Sequence, residues 1–494
     1  MHSSKTSIQT SSFSFYTLLL IFIFTTLATI GAIRNLSLNP PKKFDITYHP
    51  SLTTTEITKL QQIFHDFQTE HPIEISATIV NYLELADNQI LFDIQVPVAN
   101  FYYPASEVSS DQITKFTEPD QPKLISINQL TSNQKLLSLD GHYLLDDFKQ
   151  GGIFRIFQFS GQGFQSAKNL LQNQLANLPT KANTLSFAQT GVTALSRAMT
   201  TKLHQIGDPL FFAKPVQDFL SSKDLTHISN EVSFAKNCPG GTSTTSLCAD
   251  WQALETIKQI GTDIIELTGN HNNDYGFDNH LETLNQYQKL GLQTFGGGKN
   301  AAAAAAPLQI QKKGTHLTLL GYNQSTSTTR NGQLATAEYP GANPFSVEVA
   351  RKDIADAKAR GDFVIVSLQF FECNAYVSTT EDATCDTPIA NQTTFFRSLI
   401  DLGADLVIGT QAHQPQTFEL YQDKPIFYGL GNLFFDQAYW PGTTRSLILT
   451  HYFINGHYRQ TRITPTAYDR NFQTKLLEDS VSTWLLARLT HARP

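Results

Sequence analysis

Asn270, His271 and Asp274 stand in one short run, TGNHNNDYG at 268–276, whose residue types suit proton transfer and metal ligation. An Asn carbonyl is a hard oxygen donor for a divalent cation. The imidazole beside it is able to protonate a leaving oxygen, and a carboxylate three residues on can orient that ring. The same run also reads as a plain strand-to-helix turn, with Asn and Asp capping the helix that follows. On spacing alone both readings stand.

Four further polar clusters follow apolar, strand-like runs. They are Thr190-Gly191 after SFAQ, Asn230-Glu231 after THIS, Gln369 to Glu372 after VIVSL, and Gly409 to His413 after DLVI. In α/β sheets, ligands sit off the carboxyl ends of the strands, so five clusters in that position describe one crevice. The elements that must carry them are strands TLSFAQ, THISNE, DIIELTG, HLTLLGY, FVIVSLQF, DLVIG, PIFYGL and SLILTHYF. Between them lie helical stretches ADWQALETIKQIG, FDNHLETLNQYQKLG and NQTTFFRSLIDLG, a repeated βαβ pattern with Gly at helix ends. The alanines at 301–306 predict a turn or two of helix, and SVSTWLLARLTHA a terminal helix.

These blocks resemble the CapA family of bacterial capsule and poly-γ-glutamate assembly proteins. GNHNNDYG resembles its NNHxxDYG signature, and GADLVIGTQAHQPQTFELYQDKPIFYGLGNLFFD its second signature, GADxVxGxHPHxxQ…PIxYSLGNFxFD. ISNE resembles the family's Asn-Leu-Glu block, with the acid one position earlier. The matching blocks run in order from about Thr184 to Asp436. The resemblance implies a four-layer αββα sandwich related to calcineurin-like metallophosphoesterases. It places Glu231, Asn270 and His413 at metal-ligand positions and His271 at the catalytic acid, with Asp274 orienting it. Asn432 and Asp436 fall in the buried wall of the site.

The departures matter as much. The family's Gly-Asp-Val-Met block reads Thr190-Gly191-Val192-Thr193, so its bridging Asp is absent. Its His-Trp-Gly block reads Gln369-Phe370-Phe371, and one His of the later block is Gln411. Amide oxygens bind transition metals more weakly than imidazole or carboxylate. What remains suits one divalent cation (Mn, Fe or Zn) completed by water, or none; a two-metal centre lacks its bridge. Arg197, Gln369, Glu372, Gln411 and Asn432 are the expected substrate-binding groups, with Arg445 a further anion partner.

The chain of 494 residues is long enough for two domains. A net charge of -7, with 16% charged residues, gives no basic face for nucleic acid. Phe15–Ile33 carries no charge, and none lies between Lys5 and Arg34, so the segment is long enough to span a membrane. An uncleaved anchor is preferred to a signal peptide because Ile30-Gly31-Ala32 is a poor cleavage site. Flanking charges (Lys5 against Arg34, Lys42 and Lys43) argue mildly against export of the body. The cysteines argue for it: Cys238 with Cys248, and Cys373 with Cys385, bracket short polar loops that local disulfides would close in an oxidising compartment.

The expected organisation is a cytoplasmic segment 1–14, an anchor 15–33 and a spacer 34–44. An N-terminal α/β domain at 45–178, a CapA-like domain at 184–468 and a tail at 469–494 follow. TTTEITKLQQIFHDF in the first domain predicts a helix with an N-cap at its threonines. The expected function is that of a membrane-anchored extracytoplasmic protein in biosynthesis, export or anchoring of a capsule-type polymer. Its partners would be the membrane and an anionic or glycan cell-surface polymer. A metal-dependent phosphoester or amide hydrolase and a non-catalytic scaffold are the other two readings.

Overall fold

A computed structural model describes residues 46–67, 71–118, 120–175, 178–241, 247–324, 333–370, 392–438 and 442–493. The expected anchor at 15–33, Glu372, and the pair Cys373 and Cys385 lie outside the described residues. Among the described residues no helix is long and apolar enough to cross a membrane.

The chain divides into two compact units. Among the described residues, the first holds those up to Ile79 with Leu85–Phe92 and those in Arg155–Ala176; the second holds those in Val80–Glu84, Asp93–Phe154 and Asn177–Pro494. In the first, Thr53 caps the helix Thr54–Ile63 through a capping box: its hydroxyl accepts from the Glu56 amide, and the Glu56 carboxylate accepts from the Thr53 amide at 2.7 Å. That helix and Phe164–Gln174 bury Leu60, Ala167 and Leu171 against Ile73, Ile75, Phe157 and Phe159.

This division differs from the sequence boundary at 178, because residues 93–154 are counted with the second unit. Polar contacts explain the grouping. The Gln460 amide donates to Thr131 O at 2.9 Å and Gln134 O at 2.8 Å, and accepts from the Leu136 N–H at 3.0 Å. Asp146 accepts from Lys223 and from the Tyr452 hydroxyl, both at 2.6 Å, and also pairs with Arg462.

The second unit is built on two sheets. In chain order the strands are β1 (Thr184–Thr193), β2 (Leu225–Asn230), β3 (Ile264–Glu266) and β4 (Gln293–Phe295). Next come β5 (Leu308–Lys312), β6 (Thr315–Asn323), β7 (Phe363–Gln369), β8 (Leu406–Thr410), β9 (Phe418–Tyr421) and β10 (Lys424–Phe427). The last are β11 (Asn432–Phe434), β12 (Arg445–Ile454), β13 (His457–Tyr468) and β14 (Thr474–Leu476). One sheet runs β4-β3-β2-β1-β12-β13-β14, with β11 also on β1; the other runs β5-β6-β7-β8-β10-β9. β1 to β4 are parallel, as are β6, β7, β8 and β10.

Parallel strands buried on both faces read as continuous apolar runs, as these do. Phe187, Leu225, Ile264, Leu449, Leu319, Ile365 and Ile408 fill the layer between the sheets. On the outer face of the first sheet, Met199, Leu203, Ile257 and Tyr287 come from helices Ala198–Ile206, Ala253–Gln259 and Phe277–Lys289. On that of the second, Ala350, Ile354, Phe396 and Leu399 come from Val347–Ala359 and Gln392–Asp401. The result is helix, sheet, sheet, helix: a mixed α/β fold. Residues Asp479–His491 form a helix whose Leu485, Leu486 and Leu489 enter the inter-sheet core. The segment expected as a tail therefore belongs to the body.

Two imidazoles inside this unit bear on its pH stability. Burial pushes His280 down to about 4. Burial, helped by the charge of His227, pushes His451 down to about 3. Both lie below the unfolded value of about 6.5, so between those limits the unfolded chain binds protons that the folded chain refuses. The stability is full above about pH 6.5 and falls as the pH drops from there towards 4. Denaturant unfolding should show a loss of about 2–4 kcal/mol between pH 7.5 and pH 5.0. A pH-independent midpoint across that range would refute neutral burial of both rings.

Candidate functional site

The carboxyl ends of both sheets face the same region, and side-chain bonds tie them there. Asn323, ending β6, donates to Thr268 O at 2.7 Å, and the hydroxyls of Thr268 and Thr410 lie 3.3 Å apart. The run at 268–276 and the block at 409–413 thus start from one point.

Glu231 continues β2, its N–H donating to Thr193 O at 2.9 Å. Val232 forms a parallel bridge with His271, which sets Glu231 beside Asn270. Gly269 makes that approach possible: a Cβ there would lie 2.7 Å from Glu231 Cα. Glu231 is 3% exposed, and among the described residues neither of its carboxylate oxygens has a hydrogen-bond partner; buried Asn270 Oδ1 has none there either. Buried oxygens normally have partners, so three orphaned ones in adjacent residues are an anomaly that a bound cation would resolve.

His271 Nδ1 lies 2.6 Å from Asp274 Oδ2, and the same oxygen accepts the Leu247 N–H at 2.8 Å. With Nδ1 facing the carboxylate, Nε2 is the ring nitrogen left to take up and pass on a proton. The rest of the run is structural. Asn272 donates to Gly269 O at 3.2 Å, and Asn273 donates to Pro340 O at 2.8 Å while facing His280 Nδ1 at 2.7 Å. None of these caps the following helix, whose N-cap is Gly276 without a side-chain bond.

The opposite wall comes from β11. Asn432 Oδ1 lies 2.8 Å from His413 Nδ1, and its amide donates to Thr443 O at 3.1 Å. Asn432 therefore positions His413. Asp436 accepts from Arg197 Nε at 2.7 Å and from the Ala198 N–H at 2.9 Å. Burial pushes the Asp436 carboxyl above its usual range, against the opposing pull of Arg197. Arg197 is held in an internal ion pair, with its guanidinium 5.0 Å over the Phe435 ring. Gln369 donates to Gln411, and both are buried; Arg445 lies 4.8 Å over the ring of Trp484.

At the expected bridging-acid position the backbone itself occupies the space. The Val192 N–H donates to Gly431 O at 2.9 Å, and a Cβ on Gly191 would lie 1.9 Å from that oxygen. Among the described residues no three His, Cys, Asp or Glu side chains converge to hold a metal ion. Of the expected ligands, Glu231 and Asn270 lie side by side with oxygens that meet no described donor, whereas His413 is held by Asn432.

Sequence reading missed the Leu247 amide on Asp274 and the pairing of Arg197 with Asp436, because both are long-range. It did reach the local cysteine pair: Cys238 and Cys248 are disulfide-bonded, with Cα atoms 5.8 Å apart.

A mixed α/β body with a polar site at its strand ends defines the class. Residues 186–437, just over half of the chain, match the family described as bacterial capsule synthesis protein PGA_cap, and the chain belongs to that family. Capsule biosynthesis protein CapA of Bacillus anthracis is 27% identical over 214 residues, 42% of this chain and 49% of the relative. PGA biosynthesis protein CapA of Bacillus subtilis (strain 168) is 25% identical over 264 residues, 53% of this chain and 64% of the relative. The chain thus spans about half to just under two-thirds of the length of these curated relatives. Among solved structures, a putative 5'-nucleotidase from Staphylococcus aureus overlaps with a TM-score of 0.37 at 12% identity, covering 61% of this chain and 58% of that one. Overlap that loose carries nothing about the site.

Two outcomes follow from the geometry. Gly191→Ala should lower unfolding stability by about 2–4 kcal/mol, since backbone rather than a flexible side chain must yield; an unchanged midpoint would refute the close contact. In chelator, Glu231→Gln should raise stability by about 1–3 kcal/mol by removing an uncompensated buried carboxylate. A lower midpoint than wild type would show that the carboxylate has a stabilising partner.

Proposed function

We propose that this protein acts in the biosynthesis, export or anchoring of a capsule-type cell-surface polymer, poly-glutamate in the first instance, and handles that polymer at the strand-end crevice. The observation that carries the reading is the His271–Asp274 dyad, 2.6 Å apart, beside the orphaned oxygens of Glu231 and Asn270. Relatives named for capsule and poly-γ-glutamate synthesis support the polymer class. The apolar segment Phe15–Ile33 anchors the chain, and the Cys238–Cys248 disulfide supports an extracytoplasmic body.

In this mechanism Asp274 orients the His271 ring through Nδ1, and Nε2 takes up a proton from the attacking water and passes it to a departing oxygen or nitrogen. Asn432 holds His413 against the opposite wall. One divalent cation (Mn, Fe or Zn), held by Glu231 and Asn270 with His413, would supply positive charge that polarises a phosphoryl or amide oxygen. The αββα layering and this donor set together suit a metallophosphoesterase-like site reduced to a single metal.

A second reading is a non-hydrolytic polymer-binding scaffold. It is favoured by Gly191, whose contact with Gly431 leaves no room for the acid that bridges two metals.

Complementation separates the two. In a polymer-producing host lacking its own copy, the wild-type chain should restore surface polymer, and His271→Ala should lower it at least about tenfold. Elemental analysis should find one metal per chain in wild type and none in Glu231→Ala. Full polymer with His271→Ala would leave only the scaffold, and no restoration by wild type would sink the polymer reading.

A further inference from the structure

The chain leaving Glu231 runs straight to a cysteine. Residues Phe234–Ala235 pair in parallel with Ala249–Asp250, Cys238 follows the first strand, and Cys248 immediately precedes the second. The disulfide between them is nearly closed off from solvent, at 3% and 2% exposure, and packs with Ala235 against Tyr275. Tyr275 is the residue after Asp274, and Leu247 is the residue before Cys248. The cross-link therefore sits next to the backbone N–H that, among the described residues, reaches the dyad's carboxylate, Leu247 N to Asp274 Oδ2 at 2.8 Å.

A closed circuit results. Val232 bridges to His271, the Ser233 hydroxyl donates to Asn272 O, and the Phe234 N–H donates to Thr283 Oγ1 at 2.9 Å. On the far side of the loop, the Gly241 N–H donates to Thr201 Oγ1 at 3.1 Å. Leu247 is followed directly by Cys248, which is joined to Cys238 and leads into the strand Ala249–Asp250. Asp274 Oδ2 shares two donors, the imidazole and this amide. Without the amide the carboxylate keeps one of these two donors and turns more freely about its own bond, which loosens its hold on the ring.

We infer that the Cys238–Cys248 disulfide and the Leu247 amide are positioning groups for the His271–Asp274 dyad, so that the dyad is set only in the oxidised protein. The inference rests on the dyad's being the proton-transfer pair of the proposed function. Neither sulfur touches substrate; both act through Leu247 and Asp274. Reduction by a dithiol converts the S–S bond to two thiols while the reagent closes to its own cyclic disulfide, and Leu247 loses the tie through Cys248 to Cys238.

The test reads the dyad directly and needs no substrate. Proton NMR of the ectodomain-bearing full chain in detergent should show a far-downfield imidazole N–H resonance, assigned by its loss in His271→Asn. In Cys238→Ala/Cys248→Ala, and in wild type reduced with excess dithiothreitol, that resonance should vanish or exchange with solvent at least roughly tenfold faster. Leu399→Ala is the control, because this fully buried residue lies among the helices of the other sheet and lowers stability without touching the loop. It should keep the resonance unchanged. Persistence of the signal at wild-type exchange rate in the cysteine variant and in reduced wild type would overturn the inference, as would its absence from oxidised wild type. Either result leaves the complementation outcome, and with it the polymer reading, to be decided separately.

Discussion

One backbone contact governs the site: the carbonyl of Gly431 seated against Gly191, accepting the Val192 N–H at 2.9 Å. It draws β11 onto the end of β1, at the point where the pairing of β1 with β2 shifts register. From β11 come Asn432, which holds His413, and, a few residues on, Asp436, which holds Arg197. A side chain at 191 would push that whole wall away. The contact that builds one half of the site also removes the acid that a two-metal centre requires.

The other half is assembled at a cost in stability. Glu231 and Asn270 bury oxygens that no donor among the described residues meets, and Arg197 adopts φ 50°, a left-handed backbone that residues other than glycine rarely accept. Such features persist where surrounding packing over-determines them. Here β2, the bridge from Val232 to His271 and the flush approach at Gly269 do so. The site is therefore rigid in its framework and incomplete in its ligands. That combination separates membership of the capsule-synthesis family from the narrower matter of hydrolysis.

The fold was largely legible from the sequence. The eight apolar runs became strands, the Gly-terminated stretches became helices, and Asn300 caps a short helix in the alanine run. Periodicity and end signals are local, so a linear reading reaches them. The boundary at 178 and the supposed tail after 468 were not legible. Gln460, Asp146 and the leucines of the last helix act across long stretches of chain, and nothing local marks the partner.

In the site the same line divides what each level determined. The sequence by itself supplied the residue types and the short-range pairs, His271 with Asp274 and Cys238 with Cys248, because three or ten residues of separation leave few other geometries. Only the tertiary structure decided which polar groups are already taken. Arg197 meets Asp436, Gln369 meets Gln411 and Arg445 lies over Trp484, so residues expected to face a ligand hold the framework. It also decided that the Glu231 carboxylate and Asn270 Oδ1 meet no such partner among the described residues. A hydrogen bond is satisfied by proximity in space, and the packing of two sheets sets that proximity between residues far apart in the chain.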